Sequence, residues 1–150
     1  MTDTVTNNIT SQIEKFTPLA DPLMRITAGL FLVPHGAQKL FGWFGGYGLD
    51  ATGQFFTDQL GFSQGYLSAL ASGSIEFFGG IALALGLFTR LSAMAISVLL
   101  IVAMTVHLPN GFFWTNGGYE YPLLWLILTL SFVIKGSSDY SVDKLISNRS

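Results

Sequence analysis

Apolar positions in this chain of 150 residues gather into four runs with few charges: Leu23–Phe44, Leu67–Phe88, Leu91–Leu108 and Tyr121–Ile134. A helix that crosses a bilayer needs about 20 residues, within a range of roughly 17–25. The first three runs qualify. The fourth is short, and reaches spanning length if it begins near Tyr119 or lies where the bilayer thins. The pattern therefore predicts an all-α fold, an integral membrane four-helix bundle with spans at about 23–44, 67–88, 91–108 and 119–135. Residues 1–22 and 136–150 are expected to be tails. The opening stretch MTDTVTNNITSQIEKFTPLA is polar and has no basic start before an apolar block, which argues against a cleaved signal peptide. Ile9, Ile13 and Phe16 fall at helical spacing there, so a short helix lying on the membrane surface and a frayed tail are both open readings.

Charge adds direction to this picture. Only 11% of residues are charged and half are apolar, against about 25% charged in an ordinary soluble domain. With four spans, Lys15, Arg25, Arg90, Lys135, Lys144 and Arg149 fall on one side and Lys39 alone lies toward the other. This bias predicts cytoplasmic termini in a multi-pass membrane protein, with the loops Gly45–Tyr66 and Pro109–Glu120 facing outward. A net charge of −2 offers no basic footprint for nucleic acid. The absence of cysteine removes thiolate catalysis, Fe–S clusters and cysteine-based metal sites.

The expected outer loops and their flanks are rich in aromatics, among them Phe41, Trp43, Phe55, Phe56, Trp114 and Tyr121. One reading is an interfacial aromatic belt. The other is a cap over a hydrophobic cavity, with Phe55, Phe56 and Leu60 on one side of a short lateral helix.

Polar residues inside the runs carry the candidate chemistry. Counted from Arg25, His35 lies about 15 Å up the first span and Lys39 about 21 Å up. Glu76, nine residues after Leu67 on the descending second span, lies about 14 Å deep. His107 stands near the outer end of the third span and Glu120 at the start of the fourth. A lone charge in a membrane costs roughly 2.5–3.5 kcal/mol, so such groups face protein and find partners. His35 and Lys39 are four apart and share a helix face, which makes Glu76 the expected counter-charge for one of them. Ser72 and Gln38 are placed to complete the hydrogen bonding. Pro34 frees the Leu30 carbonyl from its helical partner. Either the charges pin helix register or they form a functional site. Arg25 and Arg90, at inner helix ends, read as snorkelling anchors, though Arg25 also stands at a motif position. Gly79-Gly80 marks a close helix approach. A haem held by His35 and His107 is disfavoured by a depth mismatch of about 9 Å, and no metal-site spacing such as HExxH is present.

The series RITAGLFLVPHGAQKL (25–40), EFFGGIALALGLFTRL (76–91), MTVH (104–107) and EYP (120–122) resembles the DoxX family over most of 25–139. The resemblance implies a small four-helix, multi-pass protein of the bacterial cytoplasmic (inner) membrane; relatives include the membrane subunit of thiosulfate:quinone oxidoreductase, and other members are linked to membrane oxidoreductase complexes handling thiol or oxidative stress. It points to a quinone-linked oxidoreductase subunit, with quinone as the cofactor and membrane lipid, other redox subunits or further copies of the chain as partners. In that reading His35, Lys39 and Glu76 are the catalytic candidates, and Arg25, Gln38, Ser72, His107, Glu120, Trp43 and Trp114 the binding candidates. The alternative is a non-enzymatic membrane complex component or a small-solute binder or carrier.

Overall fold

The computed structural model describes residues 10–149, and all regular structure among them is helical. A helical turn at 10–14 precedes α1 (Thr17–Phe41). Ile9 lies outside the described residues, while Ile13 and Phe16 are exposed. Helix α1 tolerates Pro18 in its first turn, where the missing N–H has no helical partner to lose. It then runs through Pro22 and Pro34. A short lateral helix, α2 (Gly48–Asp58), follows, and Leu60 falls beyond its end. Helix α3 covers Gly65–Leu85, α4 Thr89–His107, α5 Glu120–Lys135 and α6 Val142–Ser147. Two stretches, Gly65–Leu85 and Thr89–Asn110, are long and apolar enough to cross a membrane; α5 has 16 residues.

The long helices associate as pairs, α1 on α3 and α4 on α5. Glycine makes the first pairing close. A Cβ on Gly29 would collide with the Gly80 carbonyl oxygen, and one on Gly36 would collide with the Phe77 backbone nitrogen. Of the Gly79-Gly80 pair only Gly80 meets α1; Gly79 faces Ile96 of α4 at ordinary contact distance. The second pairing is pinned by a buried hydrogen bond between the hydroxyls of Ser97 and Thr129 at 2.9 Å. Ala28, Leu32, Leu83, Ile96, Leu100, Leu126 and Phe132 form the core between the pairs. Outside it, Leu91, Met94, Val98 and Ile101 leave an exposed apolar stripe on α4, and Leu124, Ile127, Leu130 and Ile134 leave one on α5.

One end of the molecule, the terminal end, holds the start of α1, the α3–α4 hairpin and the end of α5. Helix α3 stops there because Gly86 takes a left-handed φ of 68°, with Gly86 N–H donating to the Leu83 carbonyl and Leu87 N–H to that of Ala82. This 5→2 and 6→1 pattern is a Schellman stop. Arg25 is not a snorkelling anchor: it is 1% exposed. Its guanidinium donates to the carbonyls of Leu83 (2.7 Å), Ala84 (2.5 Å) and Tyr140 (3.0 Å), the first shared with the Gly86 N–H. A helix end buried this way leaves carbonyls without partners, so a buried donor is more useful there than a hydrated one.

Residues 136–150, expected as a tail, include a docked segment. Asp143, at the start of α6, accepts hydrogen bonds from the N–H of Phe88, the N–H of Thr89 and the Thr89 hydroxyl, each at 2.8 Å. It thereby caps α4, whose own flanking residue Phe88 supplies no cap. Phe88 holds a φ of 46°, a costly setting for a bulky side chain, and the bond to Asp143 helps to hold it there. Burial alone would raise the Asp143 pKa. The bonds from Thr89 and Phe88 and the charge of Arg25 outweigh it and leave the carboxyl below its ordinary range.

Candidate functional site

Helix α1 brings Lys39 to α3 near the other end of the molecule, the loop end. The Lys39 ammonium donates to Glu76 Oε2 at 2.5 Å, and the two side chains stay 23% and 12% exposed. The pair is therefore sheltered and still reachable. Glu76 does not stand on plain α-helix. Ile75–Gly79 form a π-helical turn inside α3, a feature that concentrates at functional sites. Composition carries no signal for such a turn, because any run of helix formers suits both geometries. Gly36 lies against the backbone of this turn, which fixes the height of Lys39 relative to Glu76.

An aromatic edge stands beside the pair. Phe41 and Phe77 meet edge-on at 5.2 Å, Trp43 lies 5.0 Å from Phe41 and 6.5 Å from Phe77, and Phe78 sits 5.1 Å from Phe77. Phe77, which meets both Phe41 and Trp43, has a readable signal in retrospect: it directly follows the acidic residue of the span.

His35 sits one turn below Lys39 on the same helix face. It is exposed, and no hydrogen bond or ion pair links it to another described residue. The same face of α1 is buried lower down, at Ala28 and Leu32. Phe31, one turn below His35, reaches Trp125 of α5 with ring centres 6.0 Å apart. The core thus closes around Ala28 and Leu32, and this face of α1 is exposed at His35.

Other candidate positions do not join this group. Ser72 is buried and donates to the Ala69 carbonyl within its own helix, not to Glu76. Gln38 donates to the Phe44 carbonyl at 3.3 Å and braces the turn after α1. His107 Nδ1 donates to the Gly117 carbonyl at 2.6 Å, and Glu120 accepts from the Trp114 N–H at 3.1 Å. Both shape the 108–120 loop, where Trp114 also lies against Tyr121 at 5.5 Å. Arg25 lies at the opposite end. Among the described residues Phe56 contacts Phe55 and Phe62, Phe112 contacts Phe113 and Tyr119, and no ring contact joins the two sets.

The arrangement can do specific things. An ammonium has three donors, and Lys39 directs one at Glu76, so it can also meet a carbonyl or an anion. Glu76 Oε1 is free to accept. His35 offers a further donor or acceptor one turn away on the same helix face.

The DoxX family profile matches residues 20–108, the part of the chain that holds His35, Lys39 and Glu76. The chain belongs to the DoxX family. Relatives of this DoxX chain include a Haemophilus influenzae protein described as uncharacterized, 31% identical over 137 residues, covering 89% of this chain and 95% of the relative. A second uncharacterized protein of the same organism is 32% identical over 62 residues, 41% of each chain. No solved structure matches the DoxX chain significantly. The family and the two apolar helices make it a DoxX family membrane protein.

Proposed function

We propose that α1, α3, α4 and α5 cross the bacterial cytoplasmic membrane as a four-helix bundle with the terminal end inside, and that the chain is the membrane subunit of a quinone-linked oxidoreductase. The exposed apolar stripes of α4 and α5 support the first part, since large exposed apolar surface calls for lipid or a partner. So does the gathering of six of the seven basic residues toward the terminal end.

The observation that carries the second part is the partly exposed Lys39–Glu76 pair on the π-turn, beside the Phe41, Trp43 and Phe77 edge. The residues fit a quinone in kind: a flat ring suits aromatic edges, and its carbonyls suit the donors of Lys39 and His35. The chemistry a quinone supplies is acceptance of two electrons, delivered by a partner redox subunit, together with two protons. Lys39 orients and polarises a carbonyl, His35 holds a proton at a ring nitrogen, and Glu76 fixes Lys39 through Oε2 while Oε1 is left to exchange protons.

The test is quinone reduction in membranes that contain the His35→Ala or Glu76→Gln chain at wild-type abundance. Both substitutions are expected to lower the rate about a hundredfold or more, in the range of a lost acid–base group. Unchanged reduction in both removes the redox reading.

A second reading has one observation in its favour. The ion pair lies on the α1–α3 crossing that Gly29 and Gly36 already interlock, as a register pin would in a non-enzymatic complex component or solute carrier. Organic extraction of the detergent-purified protein separates the two. Stoichiometric quinone in its ultraviolet spectrum favours the first, and its absence favours the second.

A further inference from the structure

The Lys39–Glu76 site leaves the terminal end unused, yet a groove of about 320 Å3 opens there, lined by Phe88, Thr89, Arg90, Leu91, Ser137 and Asp143. Ligand sites run from about 300 to 1,000 Å3, so the groove is at the small end of that range. It presents opposite charges that are not spent on each other: no ion pair joins Arg90 to Asp143 among the described residues. Both groups have bonding capacity left. Asp143 Oδ2 accepts from the N–H and hydroxyl of Thr89, while Oδ1 accepts only from the Phe88 N–H. A carboxylate has about four acceptor positions, which leaves one open on Oδ1. Arg90 directs Nη2 toward the carbonyls of Ile134 and Lys135 at 3.3 and 3.5 Å. Those are long contacts, and the guanidinium has further N–H donors. Phe88 and Leu91 flank the charges as exposed apolar side chains. All of this sits at the first turn of α4, where the apolar stretch Thr89–Asn110 begins.

We propose that this groove binds the headgroup of a zwitterionic glycerophospholipid that carries a primary ammonium. Its ammonium donates to Asp143 Oδ1, its phosphate accepts from Arg90 and the Ser137 hydroxyl, and its acyl chains lie along Phe88 and Leu91. A purely anionic headgroup would meet the Asp143 carboxylate with like charge, and a trimethylated headgroup has no N–H for Oδ1. Free phosphate would leave the apolar flanks uncovered. The assignment rests on the membrane placement proposed for the helices and not on the quinone reading.

Native mass spectrometry of the full chain in mild detergent, titrated in turn with phosphatidylethanolamine, phosphatidylcholine and phosphatidylglycerol, tests it. Phosphatidylethanolamine is expected to bind about tenfold tighter than the other two, the worth of one charge-assisted hydrogen bond. Arg90→Gln leaves the Asp143 bonds intact and is expected to weaken that adduct by about the same factor, whereas Lys144→Gln, an exposed lysine outside the groove, leaves it unchanged. Asp143→Asn is expected to abolish the preference over phosphatidylglycerol. Equal binding of the three lipids, or an Arg90→Gln chain that binds phosphatidylethanolamine as tightly as wild type, overturns the proposal. A chain that washes out of membranes at alkaline pH overturns the membrane placement with it, whereas an integral chain without lipid preference overturns this proposal alone.

Discussion

Depth offered Glu76 two partners on α1, His35 and Lys39, and could not choose between them. The structure joins Glu76 to Lys39. The lack of a partner for His35 was not legible, because exposure among packed helices depends on where the core stops filling. Breaking the pair should be costly and reversing it should not. Lys39→Glu and Glu76→Lys singly are expected to lower stability in detergent by about 2–4 kcal/mol, and the double variant to recover most of the loss. A double variant no better than its parents would mean that the pair contributes nothing through charge. Asp143 makes a pH-dependent prediction. Its folded pKa lies below the unfolded value of about 3.9. Its stabilisation is therefore present above that value and lost as the pH falls through the lowered folded one. Asp143→Asn should be less stable than wild type at neutral pH, with the gap in melting temperature narrowing on acidification below about pH 4. A gap that stays constant would exclude this carboxylate as its source.

At the scale of elements, apolar length and glycine were the most informative signals. The stops at Gly42 and Gly86 follow from glycine's access to positive φ. Two features had no local signature. The π-turn is invisible because it differs from an α-turn only in which carbonyl each N–H reaches, and the cap on α4 is invisible because Asp143 lies 54 residues from Thr89. Adjacent glycines offer a sharp test of the α1–α3 crossing. A Cβ on Gly80 would lie 2.7 Å from the Gly29 carbonyl oxygen, whereas one on Gly79 would meet nothing closer than 3.7 Å. Gly80→Ala is expected to lose about 1–3 kcal/mol through overpacking. Gly79→Ala should be neutral or gain a few tenths, since alanine orders the unfolded chain. Equal effects in thermal melts would contradict the close crossing.

For the whole molecule, the helical class was readable from run lengths, and the family from motifs spread over 25–122. Where the core opens and where residues 136–149 dock were not readable, because both depend on contacts between distant parts of the chain. The proposed topology can be checked directly, since the chain has no cysteine. A single cysteine at Ser63 or Thr115 should react with an impermeant thiol reagent in intact cells, and one at Lys144 only after the cells are opened. Labelling of Lys144→Cys in intact cells would invert the arrangement. The long-range cap also bears on biosynthesis. At roughly 5–20 residues per second, the ribosome delivers Asp143 about 3–11 s after Thr89, given the separation of 54 residues. Until then the start of α4 has no acceptor and Phe88 has little to hold its unfavourable backbone angle. On the proposed topology the α3–α4 hairpin enters the bilayer unlocked, free to slide and correct its alignment, and is fastened only when a later stretch of the nascent chain arrives.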